Sequence, residues 1–359
     1  MQVGIVGLPL SGKTTIYNAL TRSQAETSSY GAGRCEVHTA VVEVPDPRVN
    51  LLSGMFRPRK TTRAKIQYND ISGVTSGSGR SGFDTQVLTA LSTCDALLQV
   101  VRAFSNDQVP HPDGEVDAAR DLAALRLELI LSDLVVVERR IERLPASIKK
   151  LQGPQRQAQE HELALMETLR DTLEAEGLIS DLELSAEEQR LIRGYQFLTA
   201  KPALVLVNAG EEDPEPNLDW ANHRRRVSAL ALKGSLEMEI AQLPEEEVAP
   251  FLDEYGIAEP SLRRMVRECY DLLGLMSFFT VGEDEVRAWT VRRGATAVEA
   301  AGAIHTDLAR GFIRAEVIAY DDMVACGTLA EARKRGKLRL EGKDYVVQDG
   351  DILNIRFNV

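Results

Sequence analysis

The sequence predicts an α/β fold in which a parallel sheet carries a phosphate-binding loop, a helical hairpin interrupts the sheet, and a small α+β module follows. Three observations lead there. The apolar run at residues 3–6 passes at once into Gly7-Leu8-Pro9-Leu10-Ser11-Gly12-Lys13-Thr14 and a helix-like stretch, giving strand, glycine loop and helix in that order. Two further continuous apolar runs, 96–101 and 202–207, suit strands covered on both faces. Between them the spacing changes, and after Phe278 short alternating strands take over.

The second strand of the first domain is expected over 64–69, ending in Asp70-Ile71-Ser72-Gly73, with a Gly/Ser-rich stretch behind it. Within the insertion, Leu127, Ile130, Leu134, Val137, Ile141 and Leu144 alternate steps of three and four, the pattern of a coiled-coil seam. Gln152-Gly153-Pro154 breaks the helix, and Leu163, Met166, Leu169 and Leu173 resume an apolar stripe, so an antiparallel hairpin is expected. The last segment shows strands at 286–291 and 338–340, one helix near 296–309, and a turn at Asp349-Gly350 before a final strand from 352. The expected domains are a sheet domain at 1–112 and 198–277, the insertion at 113–197, and the small module at 278–359.

With 359 residues, 44% of them hydrophobic and 27% charged, the chain can bury proper cores, which excludes wholesale disorder. The net charge of −12 repels a phosphate backbone, so any nucleic-acid contact needs a local basic patch. Arg333, Lys334, Arg335, Lys337 and Arg339 form the clearest such cluster. No stretch approaches a spanning helix and no leader is evident, so a cytoplasmic protein without membrane contact is expected. Cys35, Cys94, Cys269 and Cys326 lie far apart, as free thiols would.

Residues 7–14 fit G-x-x-x-x-G-K-[ST] in its required strand-loop-helix context. Backbone N–H groups of Ser11, Gly12 and Lys13 would line a nest for a β-phosphate, aided by the helix dipole. Lys13 adds a full charge, and Thr14 a hydroxyl for Mg²⁺, which keeps several of its waters. Asp70 at a strand end suits a magnesium-bound water, and Gly73 can offer a backbone N–H to a γ-phosphate. Val74 cannot orient a water by hydrogen bonding. A later strand ends in Asn208-Ala209-Gly210-Glu211, where guanine-specific proteins of this architecture carry N-K-x-D. One extra methylene displaces the carboxylate that would fork onto guanine, which weakens a guanine reading without proving adenine.

From these motifs outward the sequence resembles the YchF/Obg-like ATPase family of P-loop proteins, essentially end to end. The resemblance rests on G-I-V-G-L-P from Gly4, P-D-P-R at 45–48, D-I-x-G from Asp70, L-S-A-E-E from Leu184 and N-x-x-E from Asn208. The tail adds V-R-A-W-T-V from Val286, G-F-I-R-A-E-V-I from Gly311 and E-G-K-D-Y-V-V-Q-D-G-D from Glu341, similar to a TGS domain of the β-grasp class. It implies a P-loop NTPase domain with a coiled-coil insertion and a C-terminal β-grasp module. It also implies ATP preferred over GTP, slow Mg²⁺-dependent hydrolysis, and association with ribosomes or structured RNA through the TGS-like domain and the coiled coil.

By the same resemblance the nucleotide would touch Leu10, Ser11, Gly12, Lys13, Thr14 and Thr15. Its base would lie against Asn208, Ala209 and Glu211, with Gly234 and Ser235 on a further loop. The metal would be held by Thr14 and Asp70, and hydrolysis would involve Lys13, Gly73 and His111. The expected switch threonine falls on Arg34, with Thr39 nearby, and the P-loop reads Leu10-Ser11 in place of Asn-Val. His305, within the tail signature, is expected to be structural.

Overall fold

The computed structural model describes residues 1–22, 36–72, 83–213, 216–221 and 224–358. Gly73, Val74, Arg34 and Cys35 lie outside the described residues. Among those described, the strands are β1 (Gln2–Val6), β2 (Glu36–Glu43), β3 (Lys60–Thr62), β4 (Lys65–Ser72), β5 (Ala96–Ala103), β6 (Ala203–Ala209), β7 (Val227–Leu232), β8 (Leu275–Thr280), β9 (Glu285–Arg292), β10 (Phe312–Ile318), β11 (Arg339–Glu341) and β12 (Ile352–Phe357). They form two sheets, β2-β4-β1-β5-β6-β7 and β11-β10-β12-β8-β9-β3.

Contacts divide the chain into two compact units, one of residues 1–40 and 67–265, the other of 41–66 and 266–359. In the first, β4, β1, β5, β6 and β7 run parallel, with Ile5 level with Asp70 and Arg102 level with Asn208. β5 and β6 are buried almost throughout, as their unbroken apolar runs require. The helices α1 (Lys13–Thr21), α2 (Pro47–Phe56), α3 (Thr85–Ser92), α4 (Ala118–Ile148), α5 (Gly153–Glu174), α6 (Ala186–Ile192), α7 (Gly234–Gln242), α8 (Glu245–Glu254) and α9 (Ser261–Leu272) precede β8 in the chain.

α4 and α5 form the expected hairpin, with Pro154 in the first turn of α5. Its register differs from the expected seam near the start. Leu122, Leu125 and Leu129 are buried there, whereas Leu127 is 43% exposed. The first turns of α4 pack in the same apolar cluster as Val205 and Val207 of the sheet, so their inward face is set by the sheet and only later by α5. From Ile130 onward the expected face holds, with Val137 and Leu144 buried and Leu134 and Ile141 partly so. Within this interface Asp133 is buried and accepts three hydrogen bonds, from Leu198 N (2.9 Å), Thr199 N (2.7 Å) and Thr199 Oγ1 (2.7 Å). Burial pushes its pKa up to about 6 against the pull of those donors.

In the second unit the first and last strands of the module, β8 and β12, lie side by side and parallel at the centre, flanked by β9 and β10. With α10 (Ala297–Ile304) packed on the sheet, this is the β-grasp arrangement. The single helix expected near 296–309 is two, α10 and α11 (Thr306–Arg310). His305 ends the first and caps the second, its Nδ1 accepting from Asp307 N at 3.2 Å, a structural role as expected. α12 (Tyr320–Cys326) and α13 (Leu329–Lys334) complete the unit. Residues 41–66, placed by sequence within the first domain, belong here because β3 pairs with β9. Arg48 of the P-D-P-R segment bridges Asp46 (2.9 Å) and Asp349 (2.9 Å) within the same unit.

Asp133→Ala leaves three donors without an acceptor inside the hairpin root. Urea denaturation should show a loss on the order of 3 kcal/mol, and a loss under about 0.5 kcal/mol would contradict the assigned role.

Candidate functional site

The site grows from the sharp turn between β1 and α1. Gly12 caps α1 with φ +91°, a left-handed conformation, and no side chain caps the helix, so its first-turn N–H groups at Lys13, Thr14 and Thr15 are available to an anion. Leu10 also sits at positive φ, +63°, a conformation costly for a leucine and easier for asparagine. Lys13 Nζ folds back onto the carbonyls of Gly7 (3.0 Å) and Leu8 (2.9 Å), closing the loop on itself.

Asp70, fully buried on β4, reaches this loop from the neighbouring strand. Its Oδ2 accepts from Thr14 Oγ1 at 3.4 Å, while Oδ1 is buried with no partner among the described residues. Burial pushes the Asp70 carboxyl up, opposed by the charges of Lys13 and His38 and by Thr14. Burial pulls Lys13 down to about 8, opposed by Asp70. A hydroxyl and a carboxylate with one unspent oxygen suit a hard divalent cation that takes few protein ligands, so the residues fit Mg²⁺. Ser11 Oγ is likewise buried and unpartnered.

On the other flank, Asn208 at the end of β6 joins two loops. Its Nδ2 donates to Ser11 O (3.1 Å), and its Oδ1 accepts from Gly234 N (3.0 Å) at the start of α7. Ala209 follows it in the strand and is buried; Glu211 is exposed. Lys233 Nζ donates to the Glu211 carbonyl, and Gly234 and Ser235 open α7 immediately afterwards. The structure thus brings Leu10, Ser11, Gly12, Lys13, Thr14, Thr15 and Asp70 around one loop, and links Asn208, Ala209, Glu211, Gly234 and Ser235 to it through Asn208.

Two expected residues are placed differently. His111, read as a loop residue free to orient water, is buried. Its Nδ1 accepts from Asp113 N (3.1 Å), so Nε2 carries the proton and donates to Asp121 (2.8 Å). Both ring nitrogens are therefore committed, and the side chains of His111 and Asp121 are each only 4% exposed. Thr39 lies on β2 and donates to Asn69 Oδ1 (3.0 Å) instead of joining Asp70. Sequence reasoning also missed Arg102, buried on β5, which holds the loop toward His111 through Phe104 O (3.0 Å) and Val109 O (2.7 Å). An arginine inside an apolar strand was the signal available.

The basic cluster of the tail is largely neutralised. Arg333 pairs with Glu316, Arg335 with Glu331, Lys337 with Asp322, and Arg339 with Glu341. Four of its five cations thus have an acidic partner, which blunts its field toward a phosphate backbone.

With this geometry in place, comparison with known proteins is decisive. The chain is 40% identical to the Bacillus subtilis protein named ribosome-binding ATPase YchF, over all of both chains, and 41% identical to its Pasteurella multocida counterpart, over 99% of each. The chain belongs to the YchF family. A model described as 50S ribosome-binding GTPase matches residues 2–137, and the model YchF-GTPase_C, described as a protein of unknown function (DUF933), matches 275–358. The YchF GTPase of Schizosaccharomyces pombe superposes with a TM-score of 0.87 at 30% identity, covering 99% of this chain and 97% of that one. The expected YchF family and P-loop α/β fold with a C-terminal domain are borne out, and the second model spans β8 to β12.

Two outcomes follow for this YchF chain. Because Lys13 loses its proton near pH 8 when the loop is empty, a triphosphate that favours the charged amine must draw a proton in above that pH. Nucleotide affinity should fall by about tenfold per pH unit above about 8, with proton uptake detectable by calorimetry in buffers of different ionisation enthalpy; pH-independent affinity from 7 to 9.5 would contradict it. Leu10→Asn should relieve the left-handed strain and raise the melting temperature by roughly 2 °C, for about 1 kcal/mol.

Proposed function

We propose that this chain is an ATP-binding, slowly hydrolysing switch protein that acts with the ribosome or structured RNA. The observation that carries the reading is the Lys13-Thr14-Asp70 constellation combined with Glu211 in the N-x-x-E segment beside it. The relatives at 40–41% identity are named ribosome-binding ATPases, which supports the same reading.

In this account the N–H groups of the α1 first turn and the Lys13 amine bind the phosphates, and Lys13 exchanges its bonds to Gly7 and Leu8 for phosphate oxygens. Thr14 and Asp70 hold Mg²⁺, which when bound neutralises charge on the phosphate oxygens. Gly73 offers its N–H to the γ-phosphate. Asn208 keeps the phosphate loop and the start of α7 in register, while Ala209, Glu211, Gly234 and Ser235 line the base. His111 acts on the attacking water only after exchanging Asp121 for it, which makes hydrolysis slow. The sequence-based domain boundaries near 112, 198 and 278, with residues 41–66 reassigned, would then separate nucleotide chemistry from the two partner-facing parts. On the hairpin, the exposed stripe of Leu127, Leu131 and Val135 is the surface offered to a partner.

Two other readings have an observation each. A GTPase of ordinary Obg type draws on the Schizosaccharomyces pombe relative, which is named a GTPase. A non-hydrolysing, nucleotide-dependent interaction module draws on the double commitment of the His111 ring.

Titration of nucleotide-free protein with fluorescent ATP and GTP in Mg²⁺ should show ATP binding tighter by roughly five- to a hundred-fold. Single-turnover phosphate release should be measurable, abolished by Lys13→Ala, and slowed more than about tenfold by His111→Ala with binding nearly unchanged. GTP preference would overturn the base assignment, and no release above blank would favour the interaction module.

A further inference from the structure

Away from the phosphate loop, α4 carries a guanidinium with one edge unpaired among the described residues. Arg126 Nε and Nη2 are both shielded from water, and neither has a hydrogen-bond partner among the described residues. Elsewhere in this chain that same edge grips a carboxylate with two bonds. Arg140 holds Glu162 through Nε (2.9 Å) and Nη2 (2.7 Å), and Arg48 holds Asp46 through Nε (3.0 Å) and Nη2 (2.9 Å). A dry, unpaired cation is costly, and the cost is relieved by a counter-charge of matching geometry.

Among the described residues no acid is bonded to it. Asp181, the acid whose charge acts on Arg126, gives Oδ2 to Arg224 at 2.6 Å, and its Oδ1 is buried with no partner among the described residues. Glu176 contributes its backbone carbonyl to Arg224 at 3.2 Å. Burial, with Arg224 adding repulsion, pulls Arg126 down to about 10, which still leaves it cationic at neutral pH. Arg126 also lines a cavity of about 220 Å³, whose other walls include Leu122, Ile130, Trp220, Arg224 and Glu176. At ~30 Å³ per water that is room for about seven water-sized groups.

We propose that this cavity is a second ligand site, separate from the phosphate loop, and that it takes a small organic carboxylate. The carboxylate head accepts from Nε and Nη2 of Arg126 as the side chain turns its forked edge into the cavity. The carbon body lies against Leu122, Ile130 and the Trp220 ring. A planar, singly charged, two-oxygen acceptor matches the fork. A phosphate dianion matches less well, because its further oxygens would face the apolar walls of Leu122 and Ile130.

The chain has two tryptophans, so Trp289→Phe leaves Trp220 as the reporter at the site. Full-length protein of this variant, with the phosphate loop filled by ADP and Mg²⁺, is titrated with benzoate, hexanoate and inorganic phosphate at constant ionic strength. Expected is a saturable change in Trp220 emission, half-complete at or below roughly 1 mM for a carboxylate, with phosphate at least about tenfold weaker. Arg126→Gln should weaken the carboxylate response at least about tenfold without lowering the melting temperature. Arg126→Lys, which keeps the charge but loses the fork, should fall between.

The proposal is overturned if no carboxylate saturates by about 20 mM. It is equally overturned if Arg126→Gln responds like the parent, or if phosphate binds as tightly as carboxylate. Binding that emerges only in Glu176→Gln would also overturn it, by showing that the chain's own carboxylate fills the fork.

Discussion

One side-chain amide holds the nucleotide site together. Asn208 leaves the end of β6, donates to Ser11 and accepts from Gly234, so the loop before α1 and the loop before α7 share a single buried strut. The strut also dictates its neighbours. A Cβ on Gly12 would fall 2.3 Å from Asn208 Nδ2, and one on Gly234 would fall 2.7 Å from Oδ1. Both glycines are therefore required by the same asparagine, and at Gly12 the positive φ adds an independent reason. An amide engaged at both ends is held rigidly, because either lost bond would strand a buried polar group.

Around this strut the charges are arranged for an anion that is absent from the chain itself. Lys13, pulled down by burial, spends its protons on two loop carbonyls, while Asp70 keeps one oxygen unspent. Both groups gain from a phosphate with its cation, which is the physical sense of binding here. His111, the residue proposed to act on water, is locked between Asp113 N and Asp121, and Arg102 anchors the loop that carries it. In the proposed reading, binding and turnover rest on different elements, one preassembled and one restrained.

Much of this was legible in the sequence because it depends on local pattern. The continuous apolar runs of β5 and β6, the glycine loop, and the break before Pro154 each encode their structure within a few residues. What was not legible depends on long-range packing. Leu127 fits a seam by spacing, yet the first turns of α4 answer to the sheet. Nothing in the run Asn106 to His111 indicates burial, because the partner Asp121 comes from the next helix. The pairing of β3 with β9 joins segments more than 200 residues apart, so residues 41–66 could not be assigned from their own sequence. The same limit hid the unpaired edge of Arg126, which becomes visible only when the hydrogen bonds around it are traced in three dimensions.

The central claim is that Asn208 organises both loops at once, and hydrogen exchange tests it directly. In Asn208→Ala, the hydrogen-bonded amides of Ser11 and Ile16 and those of Gly234 and Glu237 should lose protection together, by roughly tenfold or more, while β5 and the hairpin keep theirs. Unchanged protection in either loop would contradict the claim, because that loop would then be held by something other than Asn208.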